Sequence, residues 1–235
     1  MIWREEIVEK EITAVIFDMD GVLFDTEKLF LDTYKEVAEE KGMRYIEKAV
    51  MGCIGLNIRD TELLFKQEYG EDFPFDEYHT ICTERARKKI EEQGLPMKQG
   101  VRELLAYLKE RGYRIALASS TNRRGVLGHL NRAEITGFFE VIIGGDMVGH
   151  GKPEPDIYLR ACEELGTNPA DTLAIEDSPN GIRSAHAAGV KPVMVPDLIA
   201  PTPEIERLLY AKCENLEAVK EMLVKQKQPA VYTAE

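Results

Sequence analysis

Four polar clusters in this chain carry residue types that do chemistry, and each stands just beyond a short apolar run. Asp18 and Asp20 follow "ITAVIF" (12–17), and Ser119, Ser120 and Thr121 follow "RIALA" (114–118). Lys152 lies in the loop beyond "VII" (141–143), and Glu176 and Asp177 follow "TLAI" (172–175). Together they suit phosphoryl transfer. Carboxylate oxygens such as those of Asp18 and Asp177 match Mg²⁺, which binds through one or two carboxylates and keeps waters or phosphate oxygens. The metal offsets the repulsion between an aspartate and a phosphate, and an aspartate so relieved attacks phosphorus to form an aspartyl-phosphate. The Ser119 hydroxyl, the Ser120 backbone N–H and the Lys152 ammonium suit the phosphoryl oxygens. Asp20 is placed to protonate the leaving group and then to deprotonate the incoming water.

The elements that must hold these groups are legible from the same runs. Continuous Val/Ile/Ala content without alternation, in these four runs and in "PVMV" (192–195), fits strands covered on both faces of a parallel sheet. Ligands of such sheets sit at the carboxyl ends of the strands, where all four clusters fall. Helical stripes lie between the strands, as in "VRELLAYLKERG" (101–112), with Val101, Leu104, Leu105 and Leu108 on one face and Gly112 as a stop. "PDIYLRACEELG" (155–166) repeats the device, and "SPNGIRSAHAAG" (178–189) opens on a Ser178 N-cap with Pro179 at the first helical position. The alternation predicts a doubly wound, Rossmann-like α/β core.

Residues 27–95 break it. "EKLFLDTYKEVAEEKG" (27–42), "RDTELLFKQEYG" (59–70) and "FDEYHTICTERARKKIEEQG" (75–94) read as helices with no strand between them. An inserted helical cap domain over 27–95 is expected, with a core built from 1–26 and 96–235, and with Asp25-Thr26 as hinge and helix cap. The end, "KQKQPAVYTAE" (225–235), reads as a loose tail.

Composition narrows the class. The 235 residues are 44% hydrophobic and 31% charged, ordinary for a globular protein. A net charge of −12 argues against a broad nucleic-acid footprint. Four dispersed cysteines without C-x-x-C pairing fit reduced thiols, and four histidines without paired spacing argue against zinc. The glutamate-rich start does not read as a signal peptide, and no apolar stretch reaches the roughly 20 residues of a membrane span. A cytoplasmic location, no membrane partner and a monomer, with a dimer as the alternative, are expected. Two other readings of the clusters stay weak. D-x-D-G alone is also an ordinary turn, and "GDMVGHGKP" (145–153) lacks both the first glycine and the Ser/Thr of a nucleotide P-loop.

"DMDGVLFDTE" (18–27), "ALASST" (116–121), "GKPEPDIY" (151–158) and "IEDSPNGIRSAHAAG" (175–189), in that order, resemble the haloacid dehalogenase (HAD) superfamily. The similarity is greatest to its β-phosphoglucomutase-like phosphatase group. The resemblance implies Asp18 as nucleophile and Mg²⁺ ligand, and Asp20 as general acid/base whose carbonyl also meets the metal. It implies Ser119 and Lys152 on the phosphoryl group, Asp177 on the metal, and Glu176 as a direct or water-mediated partner. Asp20 favours phosphate substrates over halide displacement. The loop "IGLNIRD" (54–60), with Gly55, Asn57 and Arg59, would turn toward the site, and Thr26 and Asn122 would border it. Mutases of the group hold a second phosphate with basic residues. Here Ile54 and Leu56 flank Gly55, Phe30 stands where the mutase has His, and Asn122 where it has Lys. The expectation is a Mg²⁺-dependent phosphatase of a small phosphorylated metabolite such as a sugar phosphate; the alternative is a β-phosphoglucomutase-type mutase.

Overall fold

The computed structural model describes residues 12–226. The glutamate-rich start and residues 227–235 lie outside the described residues. In chain order the elements are β1 (Ala14–Phe17), α1 (Thr26–Glu40), α2 (Ile46–Cys53), α3 (Ile58–Tyr69) and α4 (Phe75–Gln93). There follow α5 (Val101–Glu110), β2 (Arg114–Ser119), α6 (Arg123–Arg132), β3 (Val141–Gly144), α7 (Asp156–Leu165) and β4 (Thr172–Glu176). The chain continues through α8 (Pro179–Ala187), β5 (Lys191–Met194), α9 (Pro203–Glu206), β6 (Ala211–Lys212) and α10 (Leu216–Gln226).

The six strands form one parallel sheet in the order β3-β2-β1-β4-β5-β6. The order reverses at β1, which pairs with β2 on one side and β4 on the other. That is the topological switch point at which such sheets open a crevice. Alternate residues of β1 enter opposite layers. Val15 and Phe17 join the core that includes Leu104, Leu108 and Val219, while Ala14 and Ile16 join one with Tyr158 and Ala161. The second layer takes Ala14, Ala116, Ala118 and Ala174 from the sheet, so its small side chains let α7 approach closely. β6 has only two residues, too short to show in a sequence pattern. The polar end expected as tail starts inside α10, whose last residues are Lys225 and Gln226.

Helices α1 to α4 gather around a core of their own, with Leu31, Tyr34, Val37, Phe65, Phe75 and Tyr78 inside it. Phe65 is fully buried and lies 5.3 Å from Phe75 and 5.9 Å from both Tyr34 and Tyr78, ring centre to ring centre. The chain enters and leaves this layer side by side. Asp25 N–H donates to the Pro96 carbonyl, and Lys98 N–H to that of Leu23. Asp25 precedes α1 but makes no side-chain cap; its carboxylate meets Lys98 at 3.4 Å, and Lys98 also holds Asp197 at 2.5 Å. Asp25 therefore ties the entry connection to the exit connection.

Candidate active site

The carboxyl edge of the sheet brings the core residues singled out in the sequence together. β1 ends into Asp18, whose N–H donates to the Ile175 carbonyl of β4 and so aligns the two strand ends. Lys152 is 1% exposed and reaches under this edge. Its Nζ donates to Asp18 Oδ1 at 2.6 Å, to Glu176 Oε1 at 2.6 Å and to the Ala118 carbonyl at 3.2 Å. The three donations use all the hydrogens of the ammonium. Burial opposes the charge on Lys152, yet Asp18 and Glu176 outweigh it and hold the pKa above its ordinary value.

Asp18 is held the other way. Burial raises its pKa well above the usual carboxylate range, Glu176, Asp177 and Asp20 add to the rise, and Lys152 alone opposes it. Asp177 is pushed up to about 8, first by burial and then by Glu176. Its Oδ1 is buried without a hydrogen-bond partner. Oxygens of Asp18, Glu176 and Asp177 lie within 4.8 Å of one another. An orphaned carboxylate oxygen in a buried acidic cluster is what a hard divalent cation satisfies, so these residues fit one.

Glu176 has fewer oxygens to spare. Oε1 accepts from Lys152 and from Tyr158 Oη at 2.6 Å, and Oε2 accepts from Asp177 N–H at 3.2 Å and Ser178 Oγ at 3.2 Å. Gly181 lies against this carboxylate, and a Cβ there would overlap Glu176 Oε1 and Oε2. Gly181→Ala is expected to displace Glu176 and with it Lys152, lowering stability by about 1–3 kcal/mol. Thermal unfolding checks this; an unchanged melting temperature would show that the carboxylate yields freely. Gly21 serves Asp177 likewise: it has φ +79°, and a Cβ there would overlap the Asp177 carboxylate. The turn after Asp20 is real, and it makes room for the cluster.

Asp20 accepts at Oδ1 from Thr26 Oγ1 at 2.5 Å and at Oδ2 from Thr121 Oγ1 at 2.9 Å. Thr26 and Thr121 therefore hold the Asp20 carboxylate from two sides. Ser119 is fully buried, and its Oγ accepts from Thr121 N–H at 3.1 Å. Ser120 lines the cavity above Asp18, but its hydroxyl is used by the Gly55 carbonyl at 2.9 Å. That bond, with Asn180 Nδ2 to the Ile54 carbonyl at 3.4 Å, docks the 54–57 loop on the sheet edge. Asn57 caps α3 by accepting from Asp60 N–H, Asn122 caps α6 by accepting from Gly125 N–H, and Arg59 is exposed at the cavity wall.

Sequence reasoning did not single out two participants. Tyr158 is fully buried and donates to Glu176. Its place on the apolar stripe of α7 disguises it as ordinary core. Glu27, next to Thr26 on α1, lines the cavity and faces Asp177, and neither Glu27 Oε2 nor Asp177 Oδ1 has a hydrogen-bond donor. Burial, then the charge of Asp177, raises the Glu27 pKa well above its usual range. Such a pair needs a proton or a cation between its oxygens. The carboxylate immediately after the hinge was the available signal.

A doubly wound parallel sheet with carboxylates at its switch point, a buried lysine beneath them and a helical layer above is the arrangement of an α/β protein that takes its ligand in the crevice at the strand ends. The chain matches the family model described as haloacid dehalogenase-like hydrolase over residues 15–195, and it belongs to that family. It is 36% identical over 191 residues to a phosphorylated carbohydrates phosphatase from Thermotoga maritima, covering 76% of this chain and 82% of the relative. Among solved structures it resembles CbbY from Rhodobacter sphaeroides in complex with phosphate, at 27% identity and a TM-score of 0.73, over 87% of this chain and 95% of the other. A HAD family hydrolase from Deinococcus radiodurans with bound phosphate and sodium matches at 26% identity and a TM-score of 0.71, over 92% of this chain and 96% of the other. Among the described residues no helix is long and apolar enough to cross a membrane.

Proposed function

We propose that the chain is a Mg²⁺-dependent phosphatase of a small phosphorylated metabolite, working through an aspartyl-phosphate on Asp18. The observation that carries this reading is the buried Asp18 carboxylate, which lines the cavity, bonds Lys152 at 2.6 Å and clusters with Asp177, whose Oδ1 has no hydrogen-bond partner. Asp18, Asp177 and, through its carbonyl, Asp20 would hold the metal, which supplies positive charge between carboxylate and phosphate. Asp18 Oδ attacks phosphorus, the P–O bond to the leaving group breaks, and Asp20 gives that oxygen a proton. Water then attacks the phosphoryl group, loses its proton to Asp20, and frees Asp18 and inorganic phosphate. Each Asp20 oxygen keeps a further lone pair beyond its threonine bond, so the threonines orient the carboxyl without blocking it. Ser119 and the Ser120 N–H hold the phosphoryl oxygens, and Lys152 joins them by moving its long 3.2 Å donation from the Ala118 carbonyl to the phosphoryl group. Glu176, its oxygens already engaged, chiefly positions Lys152.

Residues 27–95 act as the cap; the Ser120–Gly55 bond supports a contact made on closure, and opening about the connections joined by Asp25 and Lys98 releases product. The four free cysteines suit the cytoplasm. The Thermotoga relative's name puts phosphorylated carbohydrates among the candidate substrates. A mutase needs an anchor for a second phosphate, and Phe30, Ile54 and Leu56 supply none. Phosphate release from p-nitrophenyl phosphate is expected to vanish with EDTA and return with Mg²⁺. β-Glucose 1-phosphate with a bisphosphate primer should yield free phosphate and no glucose 6-phosphate. Full activity in EDTA would sink the metal reading, and glucose 6-phosphate as main product would make the chain a mutase.

A further inference from the structure

The cavity over Asp18 and Asp20 has a volume of about 550 Å³. A phosphoryl group occupies only its sheet end, so most of the wall addresses the leaving group. Most of that wall is carbon: α1 contributes Phe30 and Leu31, and α2 with the following loop Val50, Ile54 and Leu56. Polar side chains interrupt it: Asn57, Arg59 and Thr61 on the cap side, Asn122 and Asp146 on the core side, and a chain that starts at Tyr34. Tyr34 Oη meets His79 Nδ1 at 2.5 Å, and His79 Nε2 meets Thr83 Oγ1 at 3.3 Å, with all three residues on the lining. Burial lowers the His79 pKa and keeps this chain uncharged.

Charge excludes the commonest alternative. Among the described lining residues Arg59 is the one permanent cation, whereas Asp18, Asp20, Glu27 and Asp146 are acidic. A second phosphate would meet no cluster of cations, and a buried charge without partners is costly. The hydroxyls of a bare sugar would face carbon over most of this wall, and Asn57, Asn122 and Asp146 already accept backbone hydrogen bonds, so part of the sugar's hydrogen bonding to water would go unreplaced. A ring, by contrast, gains from contact with Phe30, Ile54 and Leu56.

We propose that the cap selects a phosphomonoester with a single phosphate and an uncharged aromatic or heteroaromatic leaving group. Its ring packs on the Phe30–Ile54–Leu56 wall, and its far edge hydrogen-bonds the Tyr34–His79 pair. This rests on the phosphatase reading and narrows it away from carbohydrates.

The test compares kcat/KM of the Mg²⁺-loaded protein for benzyl phosphate, glucose 6-phosphate and fructose 1,6-bisphosphate, all esters of primary alcohols. Benzyl phosphate is expected to exceed glucose 6-phosphate by about tenfold or more, with the bisphosphate slowest. Leu56→Lys puts a cation on the wall; it should lower kcat/KM for benzyl phosphate and raise it for the bisphosphate, with inhibition by inorganic phosphate unchanged. Equal rates, or a preference for either sugar ester, overturn this inference alone while phosphate release from p-nitrophenyl phosphate persists. No release from any ester overturns the phosphatase reading and this inference with it.

Discussion

Asp18→Asn is expected to lower turnover of p-nitrophenyl phosphate by about 10⁴-fold or more, without destabilising the metal-free protein. The two halves of this result have separate causes. Asparagine keeps the shape of the side chain and an oxygen able to accept from Lys152, which donates to Asp18 Oδ1 at 2.6 Å. It has no anionic oxygen to attack phosphorus, so the covalent route closes. Stability follows the other balance. In the metal-free fold, burial and the neighbouring carboxylates outweigh Lys152 and raise the Asp18 pKa well above its ordinary value. In the variant Lys152 keeps Glu176 as its counter-ion, so a neutral amide at position 18 leaves no buried charge unpaired. Calorimetry in EDTA should give a melting temperature equal to or above that of the unaltered protein. Turnover within tenfold of the unaltered protein would remove Asp18 as nucleophile.

Lys152→Met has the opposite signature, a large loss of stability together with loss of activity. Lys152 is 1% exposed and Glu176 fully buried, and Lys152 binds both Asp18 and Glu176 at 2.6 Å. Methionine fills much of the same space, so the change is chiefly electrical: two carboxylates lose their common counter-ion. Breaking one side of a buried pair costs about 3–5 kcal/mol, which in a domain of this size lowers the melting temperature by roughly 10 °C. Adding Glu176→Gln removes one orphaned charge and should recover part of that loss, an interaction visible only as non-additivity. Strict additivity of the two changes would show that they do not share a charge balance.

Much of the site was readable before any coordinates because buried parallel strands are written as unbroken apolar runs. The residues after "ITAVIF", "RIALA" and "TLAI" could be placed on one edge from the geometry of such sheets alone. The helices framing them also showed, since Ser178 caps α8 by accepting from Gly181 N–H and Gly112 takes φ +75°. What was missed lacks a local pattern. α2 has only eight residues, so its Ile46-Ala49-Val50 stripe spans too short a window to stand out, and α6 carries two glycines and four charged or imidazole side chains that leave only Val126 and Leu130 buried.

The chain by itself determined the fold class, the strand ends and the residue types that meet there, because each follows from neighbours within a few positions. Tertiary structure alone decided the partnerships: Lys152 with Asp18 across 134 positions, Thr121 with Asp20 across 101, Ser120 with Gly55 across 65. It also decided that Glu27 faces Asp177 and that Phe30, Ile54 and Leu56 come together on the cavity wall. No periodicity encodes such contacts. They arise when elements remote in sequence are pressed together, and only then do burial and charge set what each group can do.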